Sequence, residues 1–195
     1  MTDKETIDVY NTRATDYTKF ARGLPDADLA AFMAATKPGG HVLDLGCGPG
    51  NSAAMLQDAG FTVSATDASP EMVRIARETY GVDAQLSTFD DISGTDIYDG
   101  IWANFSLLHA PKADMPRHLA ALRTALKPGG IFHIGLKVGT GEARDTIGRK
   151  YSYYQEAELH DLLNAAGLRP RTTRHGAEPG LDGVVAPFMI VLCDG

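Results

Sequence analysis

The chain is poor in cysteine, in basic charge and in uninterrupted apolar sequence, and each shortage closes off a class of function. Cys47 and Cys193 are its two cysteines; two thiols, one of them between glycines, build no disulfide framework, so a reducing compartment is expected. Lys and Arg number 18 against 25 Asp and Glu, a formal net charge of −7. Binding to a nucleic-acid backbone is driven by clustered cations that displace its counterions, so this balance argues against nucleic acid as a partner. No stretch approaches the roughly 20 apolar residues that span a bilayer, and the opening MTDKETIDVYNTRATDY carries no apolar signal core. The expectation is a soluble, cytoplasmic protein with no membrane partner. Low-complexity tracts are also missing, and hydrophobic residues, 44% of the chain, are spread through all 195 positions. That is enough for one substantial core in a single domain.

What is present is an alternation of two periods. Thr2 and Glu5 read as a capping box ahead of Ile7, Tyr10, Ala14 and Tyr17 at helical spacing. A second helix is expected over 26–36. HVLDLG then reads as a strand, CGPGN as a glycine turn and SAAMLQDAG as a helix; FTVSATD, SPEMVRIARETYG and VDAQLSTF repeat strand, helix, strand, with Ser69 as N-cap and Pro70 at the first helical position. YDGIWANF is a buried strand, DMPRHLAALRTALKPGG a helix and IFHIGLK a fifth strand. KPGG, at 37–40 and 127–130, reads both times as a turn from helix to strand. After a glycine-rich charged segment come the helix QEAELHDLLNAAG and two late strands, RPRTTRHG and APFMIVLCDG, with no helix between them. The expected fold is α/β and doubly wound: a mainly parallel, seven-stranded, Rossmann-like sheet with an antiparallel hairpin at one edge.

The chemistry concentrates where the first strand meets the first crossover helix. Gly46, Gly48 and Gly50 let the backbone turn sharply and approach a ligand at the carboxyl edge of the sheet. Asp67 follows twenty-one residues after Gly46, at the end of the second strand, where an acid accepts hydrogen bonds from both ribose hydroxyls of a nucleoside. A bare tight turn is the plainer reading of Gly-Pro-Gly. A dinucleotide fingerprint requires glycine or alanine where this chain has Asn51. Asp44 is poorly placed for a pyrophosphate; it either attracts the ammonium of an amino-acid moiety or bonds the backbone of the glycine turn.

These residues resemble the class I S-adenosylmethionine (SAM)-dependent methyltransferases. VLDLGCGPGN is similar to their first motif, ATDASPEM to the ribose-binding acid and the adenine-side segment, STFDDI to the turn beside adenine, YDGIWANFSLLHAP to the fourth motif and LKPGGIFHIGLK to the fifth. WANFSLLH with LKVGTGEARDTIGR most resembles a bacterial small-molecule subgroup that includes tellurite-resistance-like methyltransferases. The resemblance implies SAM as cofactor, with Asp44, Gly46, Cys47, Gly48, Gly50 and Asn51 around its methionine part. Asp67 would hold the ribose, with Ala68 and Met72 beside it; Thr88 and Phe89 would flank adenine, and Asn104 and Phe105 would lie near the sulfonium and amino group. It implies a single domain in which 1–38 form a helical lid, 40–137 the donor-binding half, and 138–195 an acceptor loop, a helix and the edge hairpin.

The acceptor side is less determined. His109, after the fourth strand, is either a base for a hydroxyl or thiol acceptor or a histidine bonded to backbone. Tyr10 and Tyr17 share a helix face, as lid residues over the donor and acceptor or as core aromatics. Lys137, Arg144, Arg149 and Lys150 either grip an anionic small molecule or pair with Glu142 and Asp145. Asp90 and Asp91 lack a matching cluster, and no metal is expected. Two other readings share the features: an NAD(P)-dependent oxidoreductase, and a non-catalytic SAM-binding protein. Monomer and homodimer are equally compatible with the sequence.

Overall fold

The computed structural model describes residues 3–18 and 26–195, with Tyr17 described in its backbone alone. Helix α1 spans Lys4–Thr18. Thr2 lies outside the described residues; the N-terminal bond comes from Asp3, whose Oδ2 accepts from the Thr6 N–H at 2.9 Å. Helix α2 (Ala27–Ala35) is capped by Asp26, whose side chain accepts from the amides of Asp28 and Leu29.

The alternating core then follows: β1 (His41–Leu45), α3 (Asn51–Asp58), β2 (Thr62–Asp67), α4 (Pro70–Tyr80), β3 (Ala84–Leu86), β4 (Tyr98–Asn104), α5 (Met115–Ala125) and β5 (Leu126–Lys137). Ser69 caps α4 by accepting from the Met72 amide, with Pro70 at the first position, as the sequence predicts. The chain ends with β6 (Glu142–Arg144), β7 (Lys150–Ser152), α6 (Glu156–Ala165), β8 (Arg169–Pro179) and β9 (Val185–Asp194). The main sheet has the order β3-β2-β1-β4-β5-β9-β8. Its first five strands run parallel, while β9 is antiparallel to β5 and β8 to β9. The hairpin thus lies at one edge, where consecutive strands without a crossover helix had to lie.

Three local expectations change. The second KPGG does not turn from helix to strand: residues 127–130 are inside β5, and the ladder to β4 shifts register between Tyr98 and Gly100 to absorb them. VDAQLSTF forms only a three-residue strand, because the Thr88 side chain accepts from the Asp90 amide and caps a 3-10 turn over Phe89–Asp91. The segment after β5 is no plain loop; β6 and β7 pair as a separate two-stranded hairpin.

Apolar residues cover both faces of the sheet. Leu119, Leu122, Leu159 and Leu163 of α5 and α6 pack with Ile101, Phe132 and Ile134, all fully buried, on one face. Leu29 and Phe32 of α2 pack with Leu56, Val42 and Trp102 on the other. Thus α2 serves the sheet, whereas α1 lies across α4, with Ala14 against Met72 and Ile75. Among the described residues no helix is long and apolar enough to cross a membrane.

The chain runs outward from β1 to β3 and then returns to place β4 on the other side of β1. Strand order therefore reverses at β1, and a crevice opens beyond the carboxyl ends of β1 and β4. One glycine of the turn serves packing there: Gly50 has φ +89°, and a Cβ on it would stand 2.8 Å from the Ala76 Cβ of α4. Gly50→Ala is expected to cost about 2–4 kcal/mol, left-handed strain plus overpacking, read as a lower urea midpoint. Gly81 has φ +67° with nothing within 4 Å of a built Cβ, so Gly81→Ala should cost only the strain, about 1–2 kcal/mol.

Candidate functional site

Leaving β1, the backbone bends through Gly46 (φ +72°) and Gly48 (φ +54°) before α3 begins. Gly46 is pressed against the exit from β4: a Cβ there would lie 2.4 Å from the Ser106 Cβ, so no larger residue fits between the two strand ends. Asp67, the last residue of β2, ties this bend down. Its Oδ2 accepts from the Gly48 N–H and its Oδ1 from the Ser69 N–H, both at 2.8 Å. One carboxylate thus joins the glycine turn to the start of α4 and keeps lone pairs for a ligand. Asp67 retains some surface toward the crevice, but the protein packed around it pushes its carboxyl above the usual range, against the opposing effect of the Ser69 and Gly48 amides.

Around these groups lies a cavity of about 730 Å³ counting the open space at its mouth. Of the residues singled out in the sequence, Tyr10, Gly46, Gly48, Asp67, Ala68, Met72, Phe89, Asn104, Phe105 and His109 line it. Asp44, Cys47, Gly50, Asn51, Thr88, Lys137, Arg144 and Arg149 are not part of that lining. The Tyr17 side chain is outside the described residues. Asp44 is buried with no hydrogen bond to its Oδ2; burial, then the charge of Asp67, push its pKa up to about 8. Cys47 packs among Ala53, Val73 and Ala76, where burial raises its thiol far above the ordinary value. Asp90 and Asp91 are engaged locally, the first with Arg117 and the second with Thr88.

The lining also includes residues that sequence patterns did not mark. Leu45, Thr66, Ser69, Ser87 and Ser106 come from strand ends and turns, and Asp3, Thr6 and Ile7 from α1. The Ser106 Oγ is buried without a partner. Serines and threonines on irregular backbone carry no period to read; those of α1 required knowing which face turns down.

On the β4 side, the Asn104 Oδ1 accepts from the His133 Nε2 at 3.1 Å, and His133 stacks on Trp102 with centroids 3.7 Å apart. Gly135 leaves the room: a Cβ on it would lie 2.6 Å from that Oδ1. Phe105 adopts φ +53°, a costly conformation for an aromatic residue. It is held by its N–H to the Gly135 carbonyl at 3.1 Å and by an edge-on contact with Phe188.

A polar chain closes the far side. The His109 Nδ1 lies 2.7 Å from the Lys150 carbonyl oxygen, so this nitrogen carries the proton, and the Nε2 accepts from the Tyr10 hydroxyl at 2.7 Å. The Tyr10 Oη accepts in turn from the Arg149 Nη1 at 3.2 Å, and the Arg149 Nε donates to the Asp145 Oδ2 at 2.8 Å. Burial, with a smaller push from the Arg149 charge, lowers the His109 pKa to about 4. It is neutral at pH 7 with both nitrogens engaged. The other end of α1 is held by Arg144, which donates to both Asp3 oxygens at 2.9 and 3.0 Å, and by Thr6, whose Oγ1 accepts from the Lys150 amide at 2.8 Å. α1 is therefore a roof fixed to the β6–β7 hairpin.

Comparison with known proteins gives three findings. A methyltransferase-domain family model matches residues 42–130. Trans-aconitate 2-methyltransferase of Rhodopseudomonas palustris (strain HaA2) is 32% identical over 84% of this chain and 64% of its own length; the enzyme of that name from Deinococcus radiodurans is 30% identical over 84% and 60%. The chain thus spans less than two thirds of these relatives. Among solved structures, Burkholderia thailandensis 1,6-didemethyltoxoflavin-N1-methyltransferase, with bound 1,6-didemethyltoxoflavin and S-adenosylhomocysteine, superposes with a TM-score of 0.76 at 22% identity over 96% of this chain and 86% of that one.

The buried carboxyl behind the turn sets a pH dependence. With its pKa at about 8 in the folded chain against about 3.9 unfolded, Asp44 stays protonated in the native state where the unfolded chain has lost the proton. Its contribution to stability is therefore full below about pH 4 and declines as pH rises toward about 8. Asp44→Asn should flatten that decline in urea unfolding measured from pH 5 to 8.5; an unchanged slope would show that Asp44 ionises freely.

Proposed function

We propose that this chain, whose residues 42–130 match a methyltransferase-domain family model, is a class I SAM-dependent methyltransferase that transfers a methyl group from SAM to a small-molecule acceptor of anionic character. The observation that carries the reading is Asp67, bridging the glycine turn and α4 at a strand end and still facing the cavity. The residues present fit the donor. Asp67 has lone pairs for ribose hydroxyls, the unpartnered Ser106 Oγ stands in the wall, and Gly46 and Gly48 expose bare backbone. Met72 and Phe89 offer apolar surface for a purine beyond Asp67.

Bound there, SAM supplies a methyl group activated by its sulfonium. What remains for the protein is alignment and exclusion of water, worth up to roughly 7–11 kcal/mol in favourable cases. The strained Phe105 and the hydrogen-bonded Asn104 form a wall with little freedom, and α1 covers the cavity through Thr6, Ile7 and Tyr10. His109 holds the Tyr10 hydroxyl in place; a neutral imidazole engaged at both nitrogens is not poised to take a proton. An acceptor that arrives as an anion needs no base, in keeping with relatives named for trans-aconitate. Residues 1–195 are read as one domain working in the cytoplasm, without nucleic acid, as monomer or homodimer. The net charge of −7 and the two isolated thiols support that setting.

Calorimetry should show S-adenosylhomocysteine binding and no heat from NAD. Asp67→Ala should weaken the binding at least tenfold, and NAD binding in its place would sink the reading. Methyl transfer from tritiated SAM to a pool of organic acids separates an enzyme from a protein that only binds the donor. His109→Gln is expected to keep the pH profile of turnover flat near neutrality; loss of an ionisation between pH 5 and 8 would instead make His109 the base.

A further inference from the structure

Of the four cations in or beside the segment after β5, three meet carboxylates at close range. Arg144 is paired with Asp3 and Glu5, Arg149 with Asp145, and Lys150 with Glu142 at 3.0 Å. Lys137, the last residue of β5, is different. Its side chain is half-buried, its Nζ lies 4.2 Å over the centre of the Tyr151 ring, and among the described residues no carboxylate comes within ion-pair distance of it. An aromatic face only partly offsets an ammonium withdrawn from water.

A second donor group points to the same place. Arg149 is 3% exposed, and its Nη2 lies 2.7 Å from the Asp145 Oδ2 but at an angle that makes no hydrogen bond, so it has no hydrogen-bond partner. Both nitrogens approach Gly180, where β8 turns toward β9: a Cβ there would stand 2.8 Å from the Asp182 Oδ1, 3.6 Å from the Lys137 Nζ and 3.8 Å from the Arg149 Nη2. A side chain at 180 would crowd the space between them. Through its Nη1, Arg149 also holds Tyr10 in the cavity wall, so this spot adjoins the far side of the cavity.

We propose that Lys137, with the Arg149 Nη2 beside it, seats a carboxylate of the methyl acceptor and so selects acidic acceptors over their neutral analogues. This rests on the methyl-transfer reading given above. Lys137 and Arg149 face Asp145 and Asp182 here, so the spot has no surplus positive charge and suits a single carboxylate held by hydrogen bonds from the two nitrogens. Asp182 at the hairpin tip, acting on Lys137 at longer range, would repel a phosphate dianion. Burial lowers the Lys137 pKa, a cost that an arriving carboxylate relieves through charge-assisted hydrogen bonds. Arg144 and Lys150 have no such vacancy.

The test titrates the protein, saturated with S-adenosylhomocysteine, with trans-aconitate, succinate and benzoate, each against its methyl ester, and with inorganic phosphate. At least one acid should bind wild type at least tenfold more tightly than its ester. Lys137→Met and Lys137→Gln should lose that preference while ester binding stays within twofold, and Lys137→Arg should restore most of it. A preference surviving in both neutral variants overturns the proposal, as does a wild type that prefers no acid to its ester or binds phosphate more tightly than every acid. Failure of wild type to bind S-adenosylhomocysteine would overturn the donor reading instead. Retained S-adenosylhomocysteine binding by the Lys137 variants is the check that they fold.

Discussion

A single carboxylate organises the molecule's working end. The two Asp67 oxygens each take one backbone N–H, from Gly48 and from Ser69, and these amides belong to turns leading into different helices. Bonds from a charged acceptor are stronger than neutral ones, and here they fix two turns relative to each other. Without them the glycine bend, chosen for its freedom, would have no reason to hold one shape. Asp44 deepens the constraint: a second acid beside the first keeps its proton, so the turn is backed by a neutral group.

The opposite wall is held by strain rather than charge. Phe105 keeps a left-handed backbone because Gly135 accepts its N–H and Phe188 blocks its ring. Asn104 is fixed by a histidine itself stacked on the one tryptophan. A charge-bound turn thus faces an over-determined strand end across the crevice, and neither surface needs to reorganise for a ligand to find its groups already aimed.

Much of this was legible before any coordinates. Strands with β-branched residues, helices with Ser69 or Asp26 ahead of them and glycines at a strand end have local physical causes, so α4 and the turn at 46–50 lie close to where pattern puts them. What failed was non-local. The second KPGG matches the first letter for letter, yet it is taken into β5 as an irregularity, between Leu126 paired with Tyr98 and Ile131 paired with Gly100. The cations after β5 gave a choice between gripping and pairing. Arg144, Arg149 and Lys150 settled on pairing, Arg144 with residues 141 and 139 positions away, a distance no window spans. Cys47 and Asn51 share a motif with Gly48, yet of the three Gly48 alone is in the cavity lining, a distinction that pattern does not carry.

The outer strand carries a further lesson. Among the described residues, β8 has no neighbouring strand on one side, the kind of border on which chains can stack into fibres. Arg169, Arg171 and Arg174 stand along it, Pro170 removes a donor, and the ladder to β9 slips between Pro170 and Thr172. Arg171 is paired with Asp194 and Arg174 with Asp28, so the border carries long charged side chains already held in place. Those side chains, the proline and the slipped ladder together disfavour self-templating along this border.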